Sequence, residues 1–231
     1  TDDGYKVLTD VEMEKDYPRC FEYLKKFESV LKKRADCPKT EWWGHTYPRN
    51  LNIFEKQKIM TPFNAFEPSF AYDSVGYCYT TGIAGGYAII LKPSYKIDPY
   101  YLIGLLNSTL LGRYLVTKGG GSLQGGYISY EDRFIRDLPV VIPVPKITKH
   151  VSEIIKMTKT IEELKKTRKQ FIKKHDKTTN SQSDVEYCIL ENTCKIDAHV
   201  FKLYGLEKSE IEQILNLTET NPSKQKMILE L

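Results

Sequence analysis

From Thr148 onward, apolar residues recur at intervals of three and four over a stretch longer than a small domain can cover, and this spacing restricts the fold more than any other feature. Val151, Ile154, Ile161, Leu164 and Phe171, with Ile172 shifted, mark one face, interrupted by Thr158 and Arg168. The pattern predicts a helix of about 27 residues, whose stripe needs a second element to cover it. His175 to Gln182 reads as a polar turn. Val185, Ile189, Ile196, Val200 and Leu203 then predict a second helix, stopped by Gly205. A short connection makes the two antiparallel neighbours. Residues 146–177 hold eleven basic and four acidic groups, and residues 178–231 hold five basic and nine acidic. The basic run can pair with its acidic neighbour or bind phosphates by releasing counterions, and the residues alone leave both open.

The rest of the chain is punctuated differently. Residues 1–16 read as an acidic, polar lead-in. Pro18 opens a predicted helix to about Arg34, with Phe21, Leu24, Phe27, Val30 and Leu31 on one face, ended by Ala35 to Pro38. Residues 50–92 carry short apolar bursts at Ile53-Phe54, Lys58-Ile59-Met60, Phe70-Ala71-Tyr72, Tyr77-Cys78-Tyr79 and Tyr87 to Leu91. Turn formers, among them Gly82, Gly85 and Gly86, separate them, which predicts about four short strands. Asp98 and Pro99 cap and open an apolar helix through Tyr101, Leu102, Leu105, Leu106 and Leu110, continued or kinked from Leu111 to Val116. Five glycines in residues 117–126 exclude helix interior there, since each costs about 1 kcal/mol in a helix. A strand at Tyr127–Ser129, a helix around Glu131–Arg136 and a proline-stiffened crossing from Leu138 to Pro145 follow. Ser209 with Glu212 forms a capping-box pattern for a last short helix, and the tail after Thr218 stays polar until Ile228-Leu229.

The expected fold class is α/β (α+β): a small mixed or antiparallel sheet with packed helices, followed by an antiparallel pair of long helices. Three regions are expected: 1–40 as lead-in and helix, 41–145 as the α/β domain, and 146–231 as a helical spacer or docking region. Ile59, Tyr72, Ile89, Leu105, Leu106 and Leu138 are the expected core.

Chemistry that would make the chain an enzyme by itself is hard to assemble. The glycines at 82, 85 and 86 lie between strands and those at 119–126 follow a helix, so neither set is a nucleotide fingerprint. The second run can form a backbone nest for a phosphate or serve as a plain surface loop. The four histidines are scattered, and Cys188, Cys194 and His199 do not share a helical face, so no metal site is expected. Ser122 is not centred in a nucleophile elbow. The Trp42-Trp43 pair suits core or domain junction better than base stacking. Five cysteines without a Cys-x-x-Cys pair point to a reducing, cytoplasmic setting, and no apolar run approaches the ~18 residues of a membrane span. A chain that starts at Thr1 is expected to be a piece of a longer one.

Several blocks in order carry a family resemblance: Tyr17-Pro18 with Tyr23-Leu24 and Leu31 to Arg34, Trp42-Trp43, Lys58 to Pro62, Phe70 to Asp73, Tyr100 to Ser108, Gly125 to Ile128, and Phe134 to Pro139. A last block runs from Ile196 to Leu206 and ends Leu-Tyr-Gly-Leu. Together they resemble the TaqI-like C-terminal specificity domains, the target recognition domains of adenine-specific DNA methyltransferases and of fused type II (type IIG) restriction-modification enzymes, with relatives in phage defence. The resemblance implies a module that recognises double-stranded DNA and places it against a methyltransferase domain of the same parent chain. It implies S-adenosylmethionine as the parent's cofactor, with Mg2+ only if a nuclease is fused, and no cofactor or catalysis in this chain alone. Phosphate contacts are then expected from Lys56, Lys58, Lys92, Lys118, Arg133 and Arg136. Base contacts are expected from Asn64, Ser122 and Gln124, although Asn64 equally suits a turn. Residues 148–204 are expected to dock a helical partner. The rival readings are a protein-interaction scaffold with a structural basic helix and a stand-alone metal-dependent nuclease.

Overall fold

The computed structural model describes residues 6–38, 40–46, 53–79, 85–120, 126–173, 179–218 and 220–231, and the chain divides into two units, Thr1–Lys56 and Gln57–Leu231. The first unit carries three short helices: α1 (Asp10–Asp16), α2 (Pro18–Lys25) and α3 (Glu28–Leu31). The expected lead-in therefore contains a helix. Thr9 and Glu12 cap it reciprocally, a Thr-x-x-Glu signature legible in the sequence.

The single helix expected from Pro18 to Arg34 is broken at Lys26-Phe27, and Phe27 and Val30 are exposed. Burying the two tryptophans overrides the periodicity. Trp42 stacks on Phe21 at 6.4 Å and Trp43 meets it edge-on at 5.1 Å, so the space that a longer straight helix would cover is already filled. Arg34 fixes the return of the chain by donating to the carbonyls of Leu31, Trp42 and Gly44. Trp42 is thus core of this unit, with Met13 and Phe21, and Trp43 packs half-buried against them.

The second unit begins with β1 (Lys58–Pro62), β2 (Asn64–Ala65), β3 (Ala71–Asp73) and β4 (Gly86–Ile89). Strands β3-β1-β4 form an antiparallel sheet in which Ile59 lies opposite both Tyr72 and Ile89. Three residues expected in the core are therefore cross-strand neighbours. Phe63 is the switch point: its N–H donates to Gly85 while its carbonyl accepts from Tyr130. The chain thereby leaves the first sheet and pairs β2 with β5 (Ile128–Ser129) as a separate antiparallel ribbon. The burst at Tyr77–Tyr79 is not a strand. The Asp73 carboxylate accepts the N–H groups of Val75, Gly76 and Tyr77 and coils that segment into a turn. Ile53-Phe54 likewise lies in a helical turn, in the first unit.

Helix α4 (Pro99–Leu106) starts as expected, with Asp98 accepting the Tyr100 N–H at 2.7 Å and Pro99 in the first turn. Tyr101, Leu102, Ile103, Leu105 and Leu106 are buried. After the short break at Asn107, α5 (Thr109–Leu115) runs into a π-helical turn, Val116–Gly120, so the helical path continues through Gly119 and Gly120 of the run expected to exclude helix. The short α6 (Asp132–Ile135) and an extended crossing lead to α7 (Thr148–Lys173), α8 (Thr179–Leu203), α9 (Lys208–Leu217) and α10 (Pro222–Leu229). No helix among the described residues is long and apolar enough to cross a membrane.

The long pair α7–α8 is not a separate region. Ile154, Met157, Ile196 and Val200 share one core with Ile59, Phe70, Tyr101 and Leu138, so residues on both sides of the expected boundary at 145 belong to one unit. Gly104 makes this possible: a Cβ there would lie 2.4 Å from Ile154 Cγ2, so only glycine lets α4 and α7 approach this closely. Gly205, at φ +66°, ends α8, and the Leu206 N–H closes back onto the Phe201 carbonyl. The capping box of α9 is Glu207 with Glu210, two residues before the expected Ser209 with Glu212, because that turn brings the chain back into helix sooner. The tail expected to be polar forms α10, capped by Asn221 and anchored by buried Ile228 against Phe201 and Leu215.

Candidate nucleic-acid interface

Strand alternation decides what the β2–β5 ribbon shows to solvent. Ala65 and Ile128, which lie opposite each other, pack on the core. Alternation turns the adjacent strand residues, Asn64 and Ser129, to the other face, where Ser129 is nonetheless buried. Asn64 is exposed, and Phe66 and Tyr127, one step beyond the register pair, are 63% and 39% exposed. Their rings lie against each other with centroids 3.9 Å apart, tilted by 31°. No local pattern in the sequence marks this pair, because Phe66 and Tyr127 are brought together only by the β2–β5 pairing.

Cations flank the ribbon. The π-helical turn packs on β5 and α6, so Lys118 on that turn and Arg133 on α6 come to the same region as Asn64. Lys118 is exposed and its ammonium lies 5.5 Å from the Tyr114 ring centroid. Arg133 is exposed, pairs with Glu131 at 3.0 Å and lies over the Phe134 ring. Arg136 pairs with Asp132 at 2.7 Å. Exposed pairs of this kind contribute about 0–1 kcal/mol, so a phosphate can replace either carboxylate at small cost.

The remaining expected contacts are placed elsewhere. Lys92 is exposed in the turn after β4, and Lys56 is exposed in the first unit. Ser122 and Gln124 lie outside the described residues. Lys58 cannot meet a phosphate from where it sits: it is 1% exposed, and its ammonium contacts Asp73 at 2.5 Å. Burial alone would raise the Asp73 carboxyl, but the Lys58 ammonium and the three backbone N–H donors outweigh it and hold it down at about 2. This pair fixes the β1–β3 register and the following turn.

Two motifs that resembled functional blocks are structural. Asn107 clamps the backbone of Phe70, its Oδ1 accepting the N–H at 2.8 Å and its Nδ2 donating to the carbonyl at 2.9 Å. Ser108 caps α5. Asp197, fully buried, accepts from the N–H and hydroxyl of Thr109, both at 2.7 Å, and pairs with Lys224 at 3.1 Å. The hydroxyls of Tyr101 and Tyr204 donate to the carbonyls of Val141 and Pro139, tying the crossing strand to α4 and to the end of α8.

The helix pair is held by packing more than by charge. Among the described residues, the ion pair found between α7 and α8 is Arg168 with Glu186, at 3.0 Å. His150 and His199 meet Nδ1 to Nδ1 at 2.8 Å. Burial, with the neighbouring His150 and Lys202, pushes His199 below its ordinary range. Cys194 is buried, and burial raises its thiol to about 11, so it is an inert core residue. Between α4–α5 and the helix pair runs a cleft of about 760 Å³, walled by Tyr100, Asn107, Arg113, Ile161, Lys165 and Arg168 among others. Among the described residues no three His, Cys, Asp or Glu side chains come together as a metal site.

Residues 16–140 match the family described as TaqI-like C-terminal specificity domain. A curated relative, the type II methyltransferase M.MjaIV of Methanocaldococcus jannaschii, is 23% identical over 144 residues, which cover 61% of this chain and 47% of the relative. The chain thus spans about half the length of the curated relative it matches.

Proposed function

The chain belongs to the family of TaqI-like C-terminal specificity domains, which gives it a role in DNA recognition within a restriction-modification protein, and we propose that it reads a double-stranded target and sets it against the methyltransferase part of its parent chain. The observation that carries this reading is the family match across residues 16–140, which takes in the whole ribbon and its flanking cations. Lys118, Arg133 and Arg136 would hold phosphates and fix the register of the duplex. Asn64, with Ser122 and Gln124 in the glycine loop, would read base edges in the groove. The division suits the surface, because cations on long side chains tolerate any sequence, whereas an amide offers a donor and an acceptor at fixed spacing.

The methyltransferase part would bind S-adenosylmethionine and methylate an adenine amine. This chain's contribution is placement of the duplex, and no residue of it is assigned to the cofactor. Mg2+ enters only if the parent also carries a nuclease.

Titration of duplex DNA with the purified chain, followed by fluorescence anisotropy across a salt series, tests the reading. Binding should weaken with a negative log–log slope as phosphate contacts exchange with salt. Absence of binding at roughly tens of micromolar and low salt, where even non-specific DNA contacts register, would sink it. Chelator-sensitive cleavage by the chain alone would favour a nuclease instead.

A further inference from the structure

We infer that the Phe66–Tyr127 pair is an apolar wedge that stacks on an unstacked base of the bound DNA, with Asn64 beside it to engage that base's edge. The inference rests on the DNA-reading role proposed above and assigns part of that role to residues outside the cation and loop contacts.

Three observations converge on the pair. First, the rings are exposed and lie against each other at the end of the ribbon, Phe66 directly after β2 and Tyr127 directly before β5, while Ala65 and Ile128 pack on the core. Second, Phe66 follows β2 directly and lies two residues after exposed Asn64, which brings an amide and a ring surface to the same end of the ribbon. Third, Lys118 rides on the turn packed against β5. A planar ring surface, an amide and a nearby cation are together complementary to a nucleobase, which offers a π-face, a hydrogen-bonding edge and an attached phosphate. An apolar side chain set against a base step is a recognised means of unstacking it, and the bent duplex then meets more of the protein.

Unstacking costs least at an unpaired base, so a bulge reports on the wedge without knowledge of the target sequence. The full chain is titrated into a matched duplex and into the same duplex carrying one bulged thymine beside a 2-aminopurine. The wild-type chain should prefer the bulged duplex and raise the 2-aminopurine fluorescence. The Phe66→Ala/Tyr127→Ala variant should lose about five- to tenfold affinity for the bulged duplex. It should keep the salt slope, because no cation is removed. Phe66→Tyr and Tyr127→Phe, which preserve the rings, should retain both signals. Phe66→Leu supplies the same readout if the double variant does not fold, since it stays apolar but cannot stack.

Bulge preference and fluorescence unchanged in the alanine or leucine variants would overturn the wedge while leaving DNA reading intact. Normal DNA binding by those variants with lost association to the methyltransferase part would reassign the pair to protein docking and overturn the wedge too. No DNA binding by the wild-type chain would remove both the wedge and the proposed function.

Discussion

In the three-stranded sheet Lys58 is turned inward onto Asp73 and both are buried, whereas in the neighbouring ribbon Asn64, Phe66 and Tyr127 are turned to solvent. The two regions are continuous through Phe63 and are built from adjacent strands. Yet the charged residue serves the fold, and the aromatic ones stay uncovered. Residue type is therefore a poor guide to role here. A cation expected at a phosphate became part of the scaffold, and rings of the kind expected in a core lie where a ligand can reach them. Burial inverts the usual assignment because Asp73 and its three N–H donors compensate the Lys58 charge, while Phe66 and Tyr127 stay exposed at the end of a ribbon whose Ser129 is buried.

The contrast can be broken by substitution. Lys58→Ala leaves the Asp73 carboxylate buried without its cation and should cost about 3–5 kcal/mol in urea unfolding. Unchanged stability with weakened DNA binding would show instead that Lys58 reaches phosphate. Asn107→Ala removes both bonds to Phe70 and strands its backbone groups, an expected loss of about 1–3 kcal/mol by the same measurement. It should lower stability without altering the salt slope of DNA binding.

Acid should sharpen the difference further. His199 is held below the ordinary 6.5, so as pH falls past 6.5 the unfolded chain takes up a proton that the folded chain resists, and stability declines. Glu153 opposes this effect, and His150, Lys149 and Lys202 add to it. Thermal midpoints on either side of that pH should diverge for the wild-type chain and converge in His199→Gln. Asp73 acts lower down: its stabilisation is present above the ordinary 3.8 and is lost as pH falls toward about 2.

The smallest stability change belongs to the ribbon side. Lys118→Ala should alter unfolding by no more than about 0.5 kcal/mol. It should flatten the DNA salt slope by about one phosphate contact. A large loss of stability would mean that Lys118 is structural, as Lys58 is.

Much of the scaffold was legible because it follows local periods. The stripe from Val151 to Phe171 foretold α7, Asp98-Pro99 the start of α4, and Gly205 the end of α8. The apolar burst Lys58-Ile59-Met60 foretold a strand whose partners, Tyr72 and Ile89, were also expected in the core. The candidate site was less legible. Strand β2 is two residues long and its partner lies beyond Tyr127, so no window of sequence contains the pair. Lys58 and Asp73 are fifteen residues apart, and only the antiparallel register brings them opposite each other. The charge contrast between residues 146–177 and 178–231 left ion pairing between the helices and phosphate binding both open. The pair is packed through Ile154, Met157, Ile196 and Val200.

What the sequence determined by itself was the long periodic elements, α7, α8 and the start of α4, with the strands around Ile59, Tyr72 and Ile89, since helix and strand periods act over a few residues. Ordered blocks across the chain also pointed to a family of specificity domains. The tertiary structure alone decided which polar and aromatic residues face outward, because that depends on what distant strands and helices cover. It turned Lys58 inward, merged the long helices with the sheet's core through the gap at Gly104, and left Asn64, Phe66 and Tyr127 side by side in solvent.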